Sequence, residues 1–312
     1  MAWIFIALGL VTLLLAGDYL VRGAVNLALR LGISSLVVSL TVVAFGTSAP
    51  ELLIVLSAMV DGSTGLAMGN IVGSNTANIL LVLGLPGLAA GLYTAGFDAK
   101  KAYTFMIMAT LLFIVLAFMG PFTWWHGVVL LAVFTMVLIE QARAASHNSA
   151  VAVVSGDLDG VDPFMPGWKI AFYLMLGLIG LPLGAKVLVV NAEIIARDFG
   201  VPETTIGLTL LAVGTSLPEL ATTVVAAIRR QADVALGNVI GSNMFNLLAI
   251  IGIAALVGPI PVAGELLSFD LWVMLAASLL LIPFVFFGLN ITRIWGGALT
   301  MLYMVYLLLV LL

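Results

Sequence analysis

The chain contains no cysteine, and only 8% of its 312 residues are Asp, Glu, Lys or Arg. Without cysteine there are no disulfides, no thiolate metal sites and no cysteine nucleophiles. Soluble domains carry charge on roughly a quarter of their residues, so the scarcity here excludes water as the main solvent. Nucleic-acid binding, cytosolic enzymology and secreted scaffolds go with it. The net charge of −4 excludes little, because what matters is where the charges lie. What the chain does have is apolar sequence: 63% of it is hydrophobic, in long runs separated by short polar breaks.

About 20 apolar residues suffice for one hydrocarbon crossing, and ten such runs fit, near 2–24, 34–60, 65–92, 102–119, 122–140, 168–192, 204–228, 233–257, 268–288 and 294–312. The expected fold class is an all-α polytopic membrane protein of ten spans, in the plasma (inner) membrane. The first run lacks a basic leader and a small-residue cleavage site, and is read as a retained span. Arg22, Arg30, Lys100, Lys101, Arg143, Lys169, Arg229, Arg230 and Arg293 fall in or beside connections after odd-numbered spans, while Lys186 and Arg197 fall toward the other side. By the positive-inside rule the larger group marks the cytoplasmic face and puts both termini outside.

One interval, 141–167, is clearly polar and reads as a cytoplasmic linker between a first five-helix unit (1–140) and a second (168–312). Its Asp157, Asp159 and Asp162 do not have the spacing of an EF-hand loop and are expected to be solvated.

Residues 44–84, AFGTSAPELLIVLSAMVDGSTGLAMGNIVGSNTANILLVLG, align without a gap on residues 212–252, AVGTSLPELATTVVAAIRRQADVALGNVIGSNMFNLLAIIG, at a constant offset of 168. Gly46, Thr47, Ser48, Pro50, Glu51, Gly69, Asn70, Gly73, Ser74, Asn75, Asn78 and Gly84 recur as the same residue type. Duplication of a fold explains matched hydrophobicity but not matched polar residues at lipid depth. Five spans per half is an odd number, so the second half crosses in the opposite sense. Inverted repeats with interrupted polar helices near the midplane are the sequence mark of a secondary transporter's binding site.

Glu51 and Glu219 are the carboxylates well inside otherwise apolar spans. An intramembrane charge costs roughly 2.5–3.5 kcal/mol on insertion scales unless it finds a partner or water, and no basic residue stands at comparable depth, so a cation is the natural partner, with protonation the other way to neutralise either group. Pro50 and Pro218 precede the two glutamates and lack an N–H, and Gly46 and Gly214 loosen the same turn. The segment is expected to unwind, releasing carbonyls around Ala44 and Ala212 to line a cavity. Thr47, Ser48, Thr215 and Ser216 add hydroxyls. Ser74 and Asn78 share one helix face, as do Ser242 and Asn246, and Gly69, Gly73, Gly237 and Gly241 permit close helix approach. Carboxylate, hydroxyl and carbonyl oxygens suit hard cations, and calcium takes about 6–8 of them. The same oxygens, divided among several sodium ions, would let the two ions compete for one site.

Polar residues in membrane helices also serve as plain packing glue. That is the expectation for Asn70, Asn75, Asn238 and Asn243. Asp18, Glu140, Glu193 and Glu265 lie nearer span ends and are read as snorkelling or solvated. His126 and His147 read as interfacial or loop residues.

At G-T-S-x-P-E followed by G-N-x-x-G-S-N-x-x-N, twice, the sequence resembles the sodium/calcium exchanger family of the calcium/cation antiporter superfamily, over essentially the whole chain. The resemblance implies that Glu51 and Glu219 are central calcium and sodium ligands. It also implies that Thr47, Ser48, Thr215 and Ser216 line the ion sites with the carbonyls of Ala44 and Ala212, that Ser74 and Ser242 sit at flanking sodium sites, and that Asn78 and Asn246 face the cavity. Some relatives carry aspartate at the position of Asn246. The family mechanism implies that spans 1 and 6 slide across the ion-binding bundle. The linker is too short for inserted calcium-sensing domains.

The expected function is therefore sodium/calcium antiport by alternating access at a midplane site. The expected partners are calcium and sodium ions and the lipid bilayer, with no nucleic acid and no cofactor, and the chain is expected to act as a monomer. A proton-driven cation exchanger is the nearest alternative, since a buried glutamate also carries protons, and a calcium channel is more distant. No H-E-x-x-H motif or nucleophile–base pair suggests an enzyme.

Overall fold

The computed structural model describes residues 1–94, 98–147, 162, 164–200 and 213–311. Among them, eight straight helices and one bent pair are long and apolar enough to cross a membrane. In chain order these are span 1 (Ala2–Leu31), span 2 (Ser35–Thr47 and Ala49–Val60), span 3 (Thr64–Ala90), span 4 (Lys100–Phe118), span 5 (Trp124–Arg143), span 6 (Gly167–Asp198), span 8 (Ala232–Val257), span 9 (Leu266–Phe286) and span 10 (Arg293–Val310). The shorter apolar helix Leu217–Ile228 occupies the place of span 7, whose residues 201–212 lie outside the described residues. The chain is an all-helical membrane protein.

Spans 1 and 6 are longer than their apolar runs suggest, at 30 and 32 residues. Backbone hydrogen bonding does not stop where lipid ends, so each helix continues until a residue ends it. For span 1 that residue is Gly32, whose φ of 67° no side chain opposes and whose N–H caps the Ala28 and Leu29 carbonyls. The two long helices pack on each other through small residues. A Cβ at Gly9 would stand 3.0 Å from the Gly184 carbonyl oxygen, and one at Gly184 would stand 3.1 Å from that of Gly9. Apolar helices in lipid associate by such close packing, since burial from water gives them no drive.

The internal repeat is visible in the backbone as well as the sequence. Span 2 bends by 42° at Ser48, where φ and ψ are −86° and 4°. Ser216, 168 positions later, has −86° and 3°. Gly62 turns the corner after span 2 at φ 72°, and Arg230 occupies the equivalent corner at φ 57°, a left-handed conformation that costs a residue with a Cβ roughly 1–2 kcal/mol. Spans 3 and 8 each contain one π-helical turn, Asn78–Val82 and Phe245–Ile250. Beyond them, Leu92 bridges to Ile291 ahead of span 10, and Ile260 bridges to Phe122 ahead of span 5. Each half therefore lends its third helix to the fifth helix of the other.

Burial separates the roles of the helices. In spans 3 and 8, 83% and 89% of the most apolar window is buried, against 33% and 22% in spans 1 and 6. The signature-bearing helices form the centre, and the long pair lies against one side of it.

Helix α of span 5 runs on to His147, into the interval read as linker. Asp157 and Asp159 lie outside the described residues. At the far end of the linker, the Asp162 N–H donates to Asn26 Oδ1 at 2.9 Å, which ties the linker to span 1.

Candidate functional site

The two helix breaks meet at the centre of the bundle. Pro50 stands in the first turn of Ala49–Val60 and Pro218 in the first turn of Leu217–Ile228. There the missing N–H costs nothing, because the first N–H groups of a helix have no partner within it. The expected unwinding is thus a bend instead. The Ala44 carbonyl is not released: it accepts the Ser48 N–H at 3.0 Å and the Thr47 hydroxyl at 3.4 Å. Ala212 lies outside the described residues. Glu51 and Glu219 each fall in the first turn after the break, where the helix dipole favours negative charge.

Both glutamates are fully buried, and so are Thr47, Ser48, Asn78, Ser242 and Asn246, with Ser74, Thr215 and Ser216 nearly so. Among the described residues neither glutamate has a basic partner, and no cluster of three or more His, Asp or Glu surrounds them.

The contacts are unequal between the repeats. Ser48 Oγ donates to Glu219 Oε1 at 3.1 Å. Thr47 donates to Asn238 Oδ1 at 3.1 Å and lies 3.5 Å from Ser242 Oγ. Asn238 donates in turn to the Glu219 carbonyl and to Thr223 Oγ1. The equivalent contacts around Glu51 are not made: both its oxygens, Ser216 Oγ and both polar atoms of Asn70 are buried without a hydrogen-bond partner among the described residues. Glu219 Oε2, Asn78 Oδ1 and both polar atoms of Asn246 are also unpartnered. A buried polar group without a partner normally costs 1–3 kcal/mol, so a cluster of them around two carboxylates is a donor set suited to a hard cation.

Ser74 and the amide nitrogen of Asn78 are engaged in helix contacts. Ser74 donates within its own helix, to the Asn70 carbonyl at 2.6 Å. Asn78 donates to Asn243 Oδ1 at 3.0 Å, and Asn243 donates to the Asn75 carbonyl at 3.3 Å, so these amides join spans 3 and 8. Asn238 and Asn243 make inter-helix hydrogen bonds, as packing glue would, whereas the Asn70 side chain bonds to nothing described. Gly237 and Gly241 bring span 8 against span 2: a Cβ at Gly241 would stand 2.6 Å from the Leu40 carbonyl oxygen. No described residue lies within 4 Å of a Cβ at Gly69 or Gly73. The residues equivalent to Leu36–Leu40, 204–208, are among those not described.

Three features escape the sequence reading. Asp233, at the start of span 8, is buried and accepts a hydrogen bond from Ser35 Oγ. Its position beside the span boundary gave no sign of burial, and its equivalent in the first repeat is Gly65. Asp18 is not simply solvated: it pairs with Arg22 at 3.0 Å and with Arg229 at the end of span 7. Third, a cleft of about 280 Å³ lies between spans 2, 6 and 7, lined by Pro50, Ile54, Ala185, Lys186, Gly214 and Thr215 among others. It borders the breaks at Pro50 and Thr215, next to Glu51 and Ser216. His126 is structural, its Nδ1 accepting the Thr123 N–H at 3.0 Å.

Comparison with known proteins agrees with this architecture. Residues 1–142 and 169–312 match the family model of the sodium/calcium exchanger protein. The chain is 35% identical over 343 residues to the sodium/calcium exchanger MaX1 of Methanosarcina acetivorans, covering 99% of this chain and 98% of that one. It is 32% identical to the inner membrane protein YrbG of Escherichia coli, covering 90% and 87%. Among solved structures, the sodium-calcium exchanger NCX_Mj soaked with Na+ and Sr2+ superimposes with a TM-score of 0.83 at 30% identity, over 98% of this chain and 97% of that one. The matched ten-span inverted-repeat fold makes this a multi-pass transporter and not an enzyme, and the chain belongs to the sodium/calcium exchanger family.

Proposed function

We propose that this chain exchanges sodium for calcium, binding both at one midplane site opened alternately to either side. The observation that carries the reading is the pair of fully buried glutamates, Glu51 and Glu219, at matched bends of two inverted repeats with no basic residue beside them. Two carboxylates balance the charge of one calcium ion. Thr47, Ser48, Thr215, Ser216, Ser242, Asn78 and Asn246 supply neutral oxygens around them, with Ser74 and the Ala44 and Ala212 carbonyls as further ligands after local rearrangement. The first unit spans 1–140 and the second 168–312, with both termini on the outer side and 141–167 in the cytoplasm. Relatives bearing the names sodium/calcium exchanger MaX1 and sodium-calcium exchanger NCX_Mj support the choice of ions.

The deciding experiment is calcium uptake into proteoliposomes loaded with sodium, potassium or buffered acid, one outward gradient at a time. Uptake is expected with the sodium gradient at fixed pH. Uptake driven by the proton gradient alone points to a proton-coupled exchanger, and uptake without any counter-ion gradient to a channel. An exchange of three sodium ions for one calcium moves one net charge, so uptake should respond to an imposed potential by about 2.3 kcal/mol per 100 mV.

A further inference from the structure

Lys186 stands in span 6, near the middle of a 32-residue helix. At 1.5 Å per residue its Cα lies about 5 Å along the axis from the helix midpoint and about 18 Å from the Asp198 end. The helix outruns the hydrocarbon core, so this position lies in the outer part of the span, beside the cleft. No carboxylate lies within ion-pair distance of it among the described residues, whereas Arg22, Lys101, Arg143, Arg197 and Arg229 all have one. It is exposed, and among the described residues it is the one charged residue lining the cleft that reaches Pro50 and Thr215. Those two residues adjoin Glu51 and Ser216, whose side-chain oxygens are buried without a partner among the described residues.

A fixed positive charge on a route taken by cations is otherwise a poor arrangement, and its effect depends on valence. The Coulomb barrier it raises is proportional to the charge of the passing ion, so a divalent ion meets twice the barrier of a monovalent one. Removing the charge therefore speeds divalent access by the square of the factor for monovalent access. For an ammonium about 7 Å from the path in a water-like medium, the factors are roughly 3 and 8.

We propose that Lys186 is a valence filter on the access route to the Glu51 side of the site, delaying divalent cations more than monovalent ones. The inference rests on the cation-exchange reading of that site. By the orientation given above the cleft lies in the outer half of the bundle. The filter thus slows calcium more than sodium on that side, for entry and release alike.

The test uses the full chain in proteoliposomes, with calcium–calcium and sodium–sodium self-exchange measured at sub-saturating ion in wild type, Lys186→Gln, Lys186→Met and Lys186→Arg. Both neutral variants are expected to exchange calcium roughly eightfold faster and sodium roughly threefold faster, and Lys186→Arg to match wild type. The gains should shrink at about 0.2 M inert salt, where the screening length falls below 8 Å. Equal factors for the two ions, unchanged rates, or gains indifferent to salt would overturn the filter. If one neutral variant fails to fold, the other decides. Wild type that moves neither ion would instead overturn the exchange reading, so the two failures are distinct.

Discussion

Ser48 of the first repeat hydrogen-bonds Glu219 of the second at 3.1 Å, while the equivalent pair, Ser216 and Glu51, is unbonded. In an inverted-repeat transporter the two access states exchange the roles of the halves, so a contact made on one side only identifies a state and not merely a fold. Hydrogen bonds to charged groups contribute about 1.5–3 kcal/mol net. Ser48→Ala is expected to lower the unfolding stability of the ion-free protein in detergent by about that much. Removing the unpartnered hydroxyl with Ser216→Ala should be neutral or slightly stabilising. Equal losses in denaturant titrations would mean that both pairs are bonded in solution.

Glu51→Gln and Glu219→Gln keep the side-chain volume and remove the charge. Each is expected to weaken calcium binding by at least about a hundredfold, a loss of roughly 2.8 kcal/mol, while the protein still elutes as a folded species. Retained exchange in both variants would remove the carboxylate site from the proposal.

Asn246 is fully buried with neither polar atom bonded. Asn246→Asp adds a third carboxylate at the same position and should favour calcium over sodium by about tenfold, equivalent to 1.4 kcal/mol, read as the calcium half-saturation at fixed sodium. An unchanged value would place this side chain away from the ions.

Gly241 faces the backbone of span 2, which moves less readily than a side chain. Gly241→Ala is expected to cost about 1–3 kcal/mol by overpacking, measured as a lower melting temperature. A wild-type value would mean that spans 2 and 8 are less tightly apposed than the 2.6 Å approach to the Leu40 carbonyl implies.

The parts legible in the sequence are those where chemistry and lipid conflict. Glu51, Glu219 and their serine and asparagine neighbours stand out because polar residues at lipid depth are costly. Pro50 was legible as a break but not as the start of a new helix, because the sequence does not say on which side of the bend its ring falls. Asp233 was hidden because burial there comes from the packing of Ser35 beside it, a contact between residues 198 positions apart. Arg230 was hidden for the opposite reason: the repeat puts it where Gly62 stands, and only the backbone reveals that it keeps glycine's conformation at φ 57°. The inequality of the two half-sites has no trace in a sequence whose repeats carry the same residues at Ser48 and Ser216, Glu51 and Glu219, and Asn70 and Asn238.

The lengths of spans 1 and 6 bear on the membrane itself. Helices of 30 and 32 residues measure about 45 and 48 Å, while a hydrocarbon core is about 30 Å thick. Span 4, with 19 residues, measures about 28 Å and has no excess. A pair that overhangs the core by some 15 Å can translate along the membrane normal without drawing its ends into lipid or deforming the bilayer, where each ångström of mismatch costs a fraction of a kcal/mol. If spans 1 and 6 slide as the family resemblance implies, bilayer thickness constrains the rest of the molecule more than this pair, and a thicker membrane strains span 4 before it hinders spans 1 and 6.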